Sequence, residues 1–218
     1  MDRRAFTLSL GGLVAFGGGA YLMTRNDGGL PGFSPAMAAE DDVTPAADIV
    51  MGDPDAPVTL IEYASYTCPH CANFHVDSAV PLKAEYVDTG KVRFIHREVY
   101  FDRFGLWAGL IARCGGESRY YGVNDLLYRG QRDWIGSGDP EEVLENLKAL
   151  GRKAGMSNEE MEACLNDRDM AESMVAAYQK NAAADEINAT PTLMIDGEKH
   201  PNMSYEDLKA ILDEKLGM

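Results

Sequence analysis

The chain has 218 residues, 45% of them hydrophobic and 25% charged, with a formal net charge of -15. That length and balance exclude a disordered or fibrous polypeptide and allow one core-forming domain with room for an insertion. The acidic surplus lies wholly beyond residue 38 and repels phosphate backbones, which argues against nucleic acid as a partner.

The first elements concern targeting. Arg3-Arg4, with Asp2 before the pair and Ala5-Phe6-Thr7 after it, precedes a glycine-rich, weakly apolar run over 8–23. A twin arginine before such a run resembles a Tat export signal, with a Sec signal or an uncleaved anchor as alternatives. Ala36-Met37-Ala38 has the small-x-small form of a cleavage site, and Gly18-Gly19-Ala20 is a second candidate. Residues 1–38 are therefore expected to be a signal peptide or N-terminal anchor. Residues 39–47 are expected to be the end of a linker rich in Gly and Pro. Four cysteines (Cys68, Cys71, Cys114 and Cys164) agree with an oxidising compartment.

Residues 48–51 predict a short edge strand. The β-branched, apolar run 58–64 predicts a buried central strand. Helical spacing follows Cys71, with Pro81 expected to kink the helix and Thr89-Gly90 to end it. Residues 91–99 give a second strand, completing a parallel β-α-β unit over 48–101. The stretch 102–169 reads as helical throughout, with helices over 104–114, 118–129, 140–154 and 158–166. Asp139-Pro140 and the Ser157/Glu160 capping box mark two helix starts. The segment 170–218 supplies a long helix to about 187, a strand after Thr190-Pro191, a turn at Asp196-Gly197, and an amphipathic helix capped by Ser204. An α/β domain carrying an all-helical insertion accounts for this order. Trp107, Tyr120, Tyr121, Tyr128 and Trp134 read as insertion core rather than a peptide groove.

The chemistry centres on Cys68-Pro69-His70-Cys71. A C-x-x-C that follows a buried strand and opens a helix puts Pro69 at the first helical position and Cys68 at the N-cap. The free N–H groups and the helix dipole then favour a Cys68 thiolate. Cys71 lies one turn inside, shielded, as the resolving thiol. The His70 imidazole beside the Cys68 sulfur would further favour the reduced form, which makes the disulfide form an oxidant. Glu62, on a buried strand six residues upstream, is a candidate proton carrier for Cys71, with an ion pair to Arg93 as its alternative. A metal site using both cysteines and His75 is the rival from another class.

The stretches VTLIEYASYTCPHCANF (58–74), GKVRFIHR (90–97) and TPTLMIDG (190–197) resemble the DsbA-like thioredoxin-fold proteins. The resemblance covers about 48–218 and implies a thioredoxin fold with an inserted helical subdomain. It implies a bacterial exported enzyme that oxidises cysteine pairs in newly translocated chains. It carries the nucleophile onto Cys68, the resolving thiol onto Cys71 and the redox-tuning pair onto Pro69 and His70. The cis-proline falls on Pro191 and the buried acid on Glu62. Thr190 stands where the best-known oxidases have valine and isomerase-type relatives have threonine, so isomerase or reductase activity is the alternative. Cys114 and Cys164 are two free thiols or, as in similar members, a structural disulfide. The expected partners are reduced exported proteins and a quinone-linked membrane reoxidase. No cofactor or metal is expected. The protein is expected to be a monomer in the periplasm, held at the inner membrane if the signal is uncleaved.

Overall fold

The computed structural model describes residues 43–218. The expected signal and its cleavage sites, and residues 39–42 of the expected linker, lie outside the described residues. A mixed five-stranded sheet runs in the order β1-β3-β2-β4-β5. The strands are β1 (Val50–Met51), β2 (Val58–Ala64), β3 (Val92–Glu98), β4 (Thr192–Ile195) and β5 (Glu198–Pro201). The apolar run 58–64, predicted as the central strand, is central, with β3 parallel to it and β4 antiparallel on its other side. Its register sets Glu62 beside His96 on β3 and Leu193 on β4. The three inner strands β2, β3 and β4 are largely buried on both faces, so they read as continuous rather than alternating apolar runs.

Helix α1 (Pro69–Phe74) begins the crossover from β2 to β3. It continues through a π segment His75–Ala79, a short turn α2 (Val80–Leu82) and a second π segment Lys83–Val87. Pro81, predicted to kink this helix, sits in α2 between the two π segments. It has no N–H for the carbonyl four residues back, and the chain responds by widening on both sides of it. The crossover and α9 (Tyr205–Leu216) cover one sheet face, packing Phe74, Leu82, Tyr86, Leu208 and Leu212 on Leu60 and Phe94. Each such fully buried side chain contributes about 1.5–3 kcal/mol. On the opposite face Tyr63 and Met194 pack with Tyr178 of α8 (Arg168–Ala184).

Five helices lie in the chain between β3 and α8. They are α3 (Arg103–Cys114), α4 (Glu117–Arg129), α5 (Gln131–Ile135), α6 (Pro140–Lys153) and α7 (Asn158–Leu165). Asp139 caps α6 by accepting from Glu141 and Glu142, and the Ser157/Glu160 capping box closes both ways. Helix α5, bracketed by Gly130 and Gly136, has no counterpart among the predicted helices, because five residues are too few to show a period. Helix α8 starts before its predicted residue 170, since Asp167 caps it. It ends before 187, and Glu186 takes a positive φ of 52° just beyond it.

Asp196 and Gly197, both at positive φ, close the β4–β5 hairpin in the two-residue turn that such a pair favours. The four large aromatics Trp107, Tyr120, Tyr128 and Trp134 are buried, and Tyr121 is partly so.

Candidate active site

Strand β2 ends at Ala64, and the turn Ser65–Thr67 delivers Cys68 to the N-cap of α1 in extended backbone (φ -84°, ψ 118°). Pro69 occupies the first helical turn, where no N–H is needed. The turn is tied on itself and to its surroundings. The Cys68 N–H donates to the Ser65 carbonyl at 3.1 Å. Ser65 Oγ and Thr67 Oγ1 lie 3.1 Å apart, and Thr67 Oγ1 donates to Asp102 Oδ2 at 2.7 Å.

Cys68 and Cys71 are free thiols, the first half-buried and the second buried. The Cys68 thiol is pulled down to about 5. The largest cause is a hydrogen bond from Cys71. Partial burial opposes it, and hydrogen bonds from the Thr190 side chain and the Cys71 and His70 backbone N–H groups reinforce it. Cys71 moves the opposite way, pushed far up by its bond to Cys68, by burial and by the nearby Glu62 charge. The two sulfurs are thus divided into a stabilised thiolate and a thiol that holds its proton. His70 itself is exposed, and its backbone N–H is one of the groups that lower the Cys68 thiol.

Thr190-Pro191 is cis, and the Thr190 carbonyl lies 3.5 Å from the Cys68 sulfur, although the two are 122 residues apart in the chain. Glu62 lies buried beneath the centre, with Oε1 lacking a hydrogen-bond partner. Burial, then the charge on Cys68, pushes its carboxyl up to about 8. The alternative pairing with Arg93 is not made: Arg93 points from the other sheet face to Thr59 Oγ1 (2.8 Å) and the Pro54 carbonyl. His75 turns away from the cysteines, with Nε2 3.0 Å from Asp125 Oδ1 and its ring stacked on Tyr128. Among the described residues no three His, Cys, Asp or Glu side chains converge as metal ligands.

A thioredoxin family model matches residues 44–214. The chain belongs to the thioredoxin family. Within it the chain is DsbA-like: the crystal structure of Wolbachia pipientis α-DsbA1 superposes with a TM-score of 0.72 at 26% identity, covering 80% of this chain and 94% of that one. A Rickettsia bellii protein provisionally named as a protein-disulfide oxidoreductase is 31% identical over 170 residues, 78% of this chain and 64% of its own length. Disulfide bond formation protein D of Bacillus subtilis is 25% identical over 177 residues, 77% of this chain and 76% of that protein. The chain spans about three fifths of the length of the Rickettsia relatives.

This DsbA-like protein has a second cysteine pair far from the first in sequence. Cys114 at the end of α3 and Cys164 in α7 form a disulfide across 50 residues, with their Cα atoms 5.7 Å apart.

Sequence reasoning missed two groups. Gln131 donates from Nε2 to the Tyr66 carbonyl (2.8 Å) and the Cys68 carbonyl (2.9 Å). Beside Glu62, His96 joins β3 to the insertion. Tyr120 donates to Glu98 Oε1 (3.0 Å) and so accepts from His96 Nδ1 (3.1 Å). Nε2 then accepts from Tyr128 at 2.7 Å. Burial holds His96 neutral, down to about 3, and Arg113 forks onto Glu98 to close the seam. A lone His on a strand and scattered tyrosines carry no sequence signal for such a network.

Proposed function

We propose that this chain is an exported protein thiol:disulfide oxidoreductase that introduces disulfides through Cys68 and Cys71. The carrying observation is the Cys68 sulfur, held as a thiolate by the Cys71 thiol, the Thr190 side chain and the first N–H groups of α1. Stabilising the reduced thiolate makes the corresponding disulfide the stronger oxidant.

In the forward reaction a client thiolate attacks the Cys68 sulfur of the Cys68–Cys71 disulfide. The S–S bond breaks toward Cys71, which takes a proton from the neutral Glu62 carboxyl. A second client thiolate then attacks the client sulfur of the mixed disulfide, and Cys68 leaves as the stable thiolate. The client loses two electrons and two protons, and the enzyme's disulfide gains the electrons. The Thr190 carbonyl, beside the cis-Pro191 bond, is available to pair with client backbone next to the sulfur.

The clients are reduced exported proteins, and a quinone-linked membrane protein takes the electrons from Cys68 and Cys71. The twin-arginine run at Arg3-Arg4 and the name of the Bacillus relative support export and the oxidising direction. The Cys114–Cys164 bond is structural and takes no part in exchange. Equilibration of the full chain against glutathione tests the reading. The expected potential is less negative than about -200 mV, whereas a value near thioredoxin's, about -270 mV, makes the protein a reductase.

A further inference from the structure

We propose that Gln131 is a positioning residue of the dithiol centre: from the helical insertion it holds the carbonyls on either side of Thr67, and so holds the Cys68 sulfur over the first turn of α1.

Gln131 is 4% exposed, although it is a polar residue at the start of a five-residue helix. Its amide nitrogen has two protons. One goes to the Tyr66 carbonyl at 2.8 Å and the other to the Cys68 carbonyl at 2.9 Å, across 65 and 63 residues of chain. The helix that carries it is pinned. Trp134, 1% exposed, donates from Nε1 to the Leu127 carbonyl at 2.9 Å. Asn146 of α6 reaches the Asp133 and Trp134 carbonyls.

The consequence for the sulfur follows from backbone geometry. The direction of the Cys68 carbonyl is the direction of its ψ angle, and ψ at 118° defines the extended N-cap conformation. In that conformation the His70 and Cys71 N–H groups face the sulfur. The Cys68 carbonyl's helical partner, the Ala72 N–H, is at a long 3.2 Å, so Gln131 supplies its shorter hydrogen bond. The Tyr66 carbonyl is anchored by the same nitrogen, and Thr67 between them is held from the other side by Asp102. The turn is thus clamped from two helices of the insertion. A neutral amide suits the place, because it offers two protons without burying a charge.

This inference rests on the reading of Cys68 as a stabilised thiolate, and one set of measurements separates the two. Gln131→Met keeps the length and loses both donors. Gln131→Asn keeps the donors and loses one methylene of reach. For the full chain and both variants, thiolate absorbance at 240 nm is followed against pH. The glutathione equilibrium and denaturant unfolding of the reduced and oxidised forms are measured alongside. Both variants are expected to move the thiolate midpoint upward and to shift the glutathione equilibrium at least fivefold toward the enzyme's disulfide. Their reduced form should lose more stability than the oxidised form. If the variant thiolate curves superpose on that of the unsubstituted chain and both redox forms weaken equally, Gln131 merely packs α5 and the inference is overturned alone. If the unsubstituted Cys68 titrates at the ordinary thiol value, the functional reading falls and takes the inference with it. Should Gln131→Met fail to fold, Gln131→Asn decides by the same criteria.

Discussion

Glu62 is a carboxyl group in the middle of a hydrophobic sheet, 1% exposed and with one oxygen unpartnered. Its folded pKa is pushed up to about 8, so folding favours the neutral acid. Below the ordinary carboxyl range both folded and unfolded chains are protonated, and nothing is lost. As pH rises from there through about 8, the unfolded chain ionises first and stability falls. Glu62→Gln removes that penalty. Urea midpoints of the reduced protein are expected to separate in favour of the variant between about pH 4.5 and pH 8, by up to about 4 kcal/mol. Parallel midpoints over that range refute it. In exchange assays the same variant should release Cys71 more slowly. Glu62 was legible from a single strand, because alternation assigns its face. Gln131 was not. It follows no motif, its targets are backbone atoms over 60 residues away, and the helix carrying it is itself too short to recognise.

At the scale of elements, helix packing sets narrower limits than the helix signals suggest. In α6, a Cβ on Gly151 would meet Met161 Sδ at 2.2 Å, where α7 crosses. Gly151→Ala is expected to cost about 1–3 kcal/mol. Gly122 in α4 has nothing within 4 Å of the same atom, so Gly122→Ala should gain up to about 1 kcal/mol. Opposite shifts in urea midpoint check the pair, and two shifts of one sign contradict it. The caps at Asp139, Ser157 and Ser204 were readable because each satisfies helix N–H groups within three residues. The π segments around Pro81 were not, since a proline announces a missing donor but not how the chain accommodates it. The disulfide from α3 to α7 closes a loop worth about 4 kcal/mol in the chain-entropy picture.

For the whole molecule, the thiolate links redox state to stability. Cys68 titrates near 5 in the folded reduced protein and near the ordinary thiol value when unfolded. A depressed pKa stabilises the reduced form in full above about pH 8.5, and that contribution disappears as pH falls through 5. The oxidised form has no such group to titrate. The gap between reduced and oxidised urea midpoints should therefore shrink steadily from about pH 8.5 to pH 5 and then stay flat. A gap independent of pH would mean that Cys68 is an ordinary thiol.

The polar seam beside the site has a consequence for engineering. His96, Glu98 and Tyr66, from β3 and the turn after β2, share their hydrogen bonds with Tyr120, Tyr128, Asn124 and Arg113 from α3 and α4. Hydroxyls and a carboxylate buried there would be stranded if either half were exchanged. The helical insertion is therefore no cassette. Grafted onto the sheet of another thioredoxin, it would carry its half of the seam without the other, and a chimera needs both halves moved together.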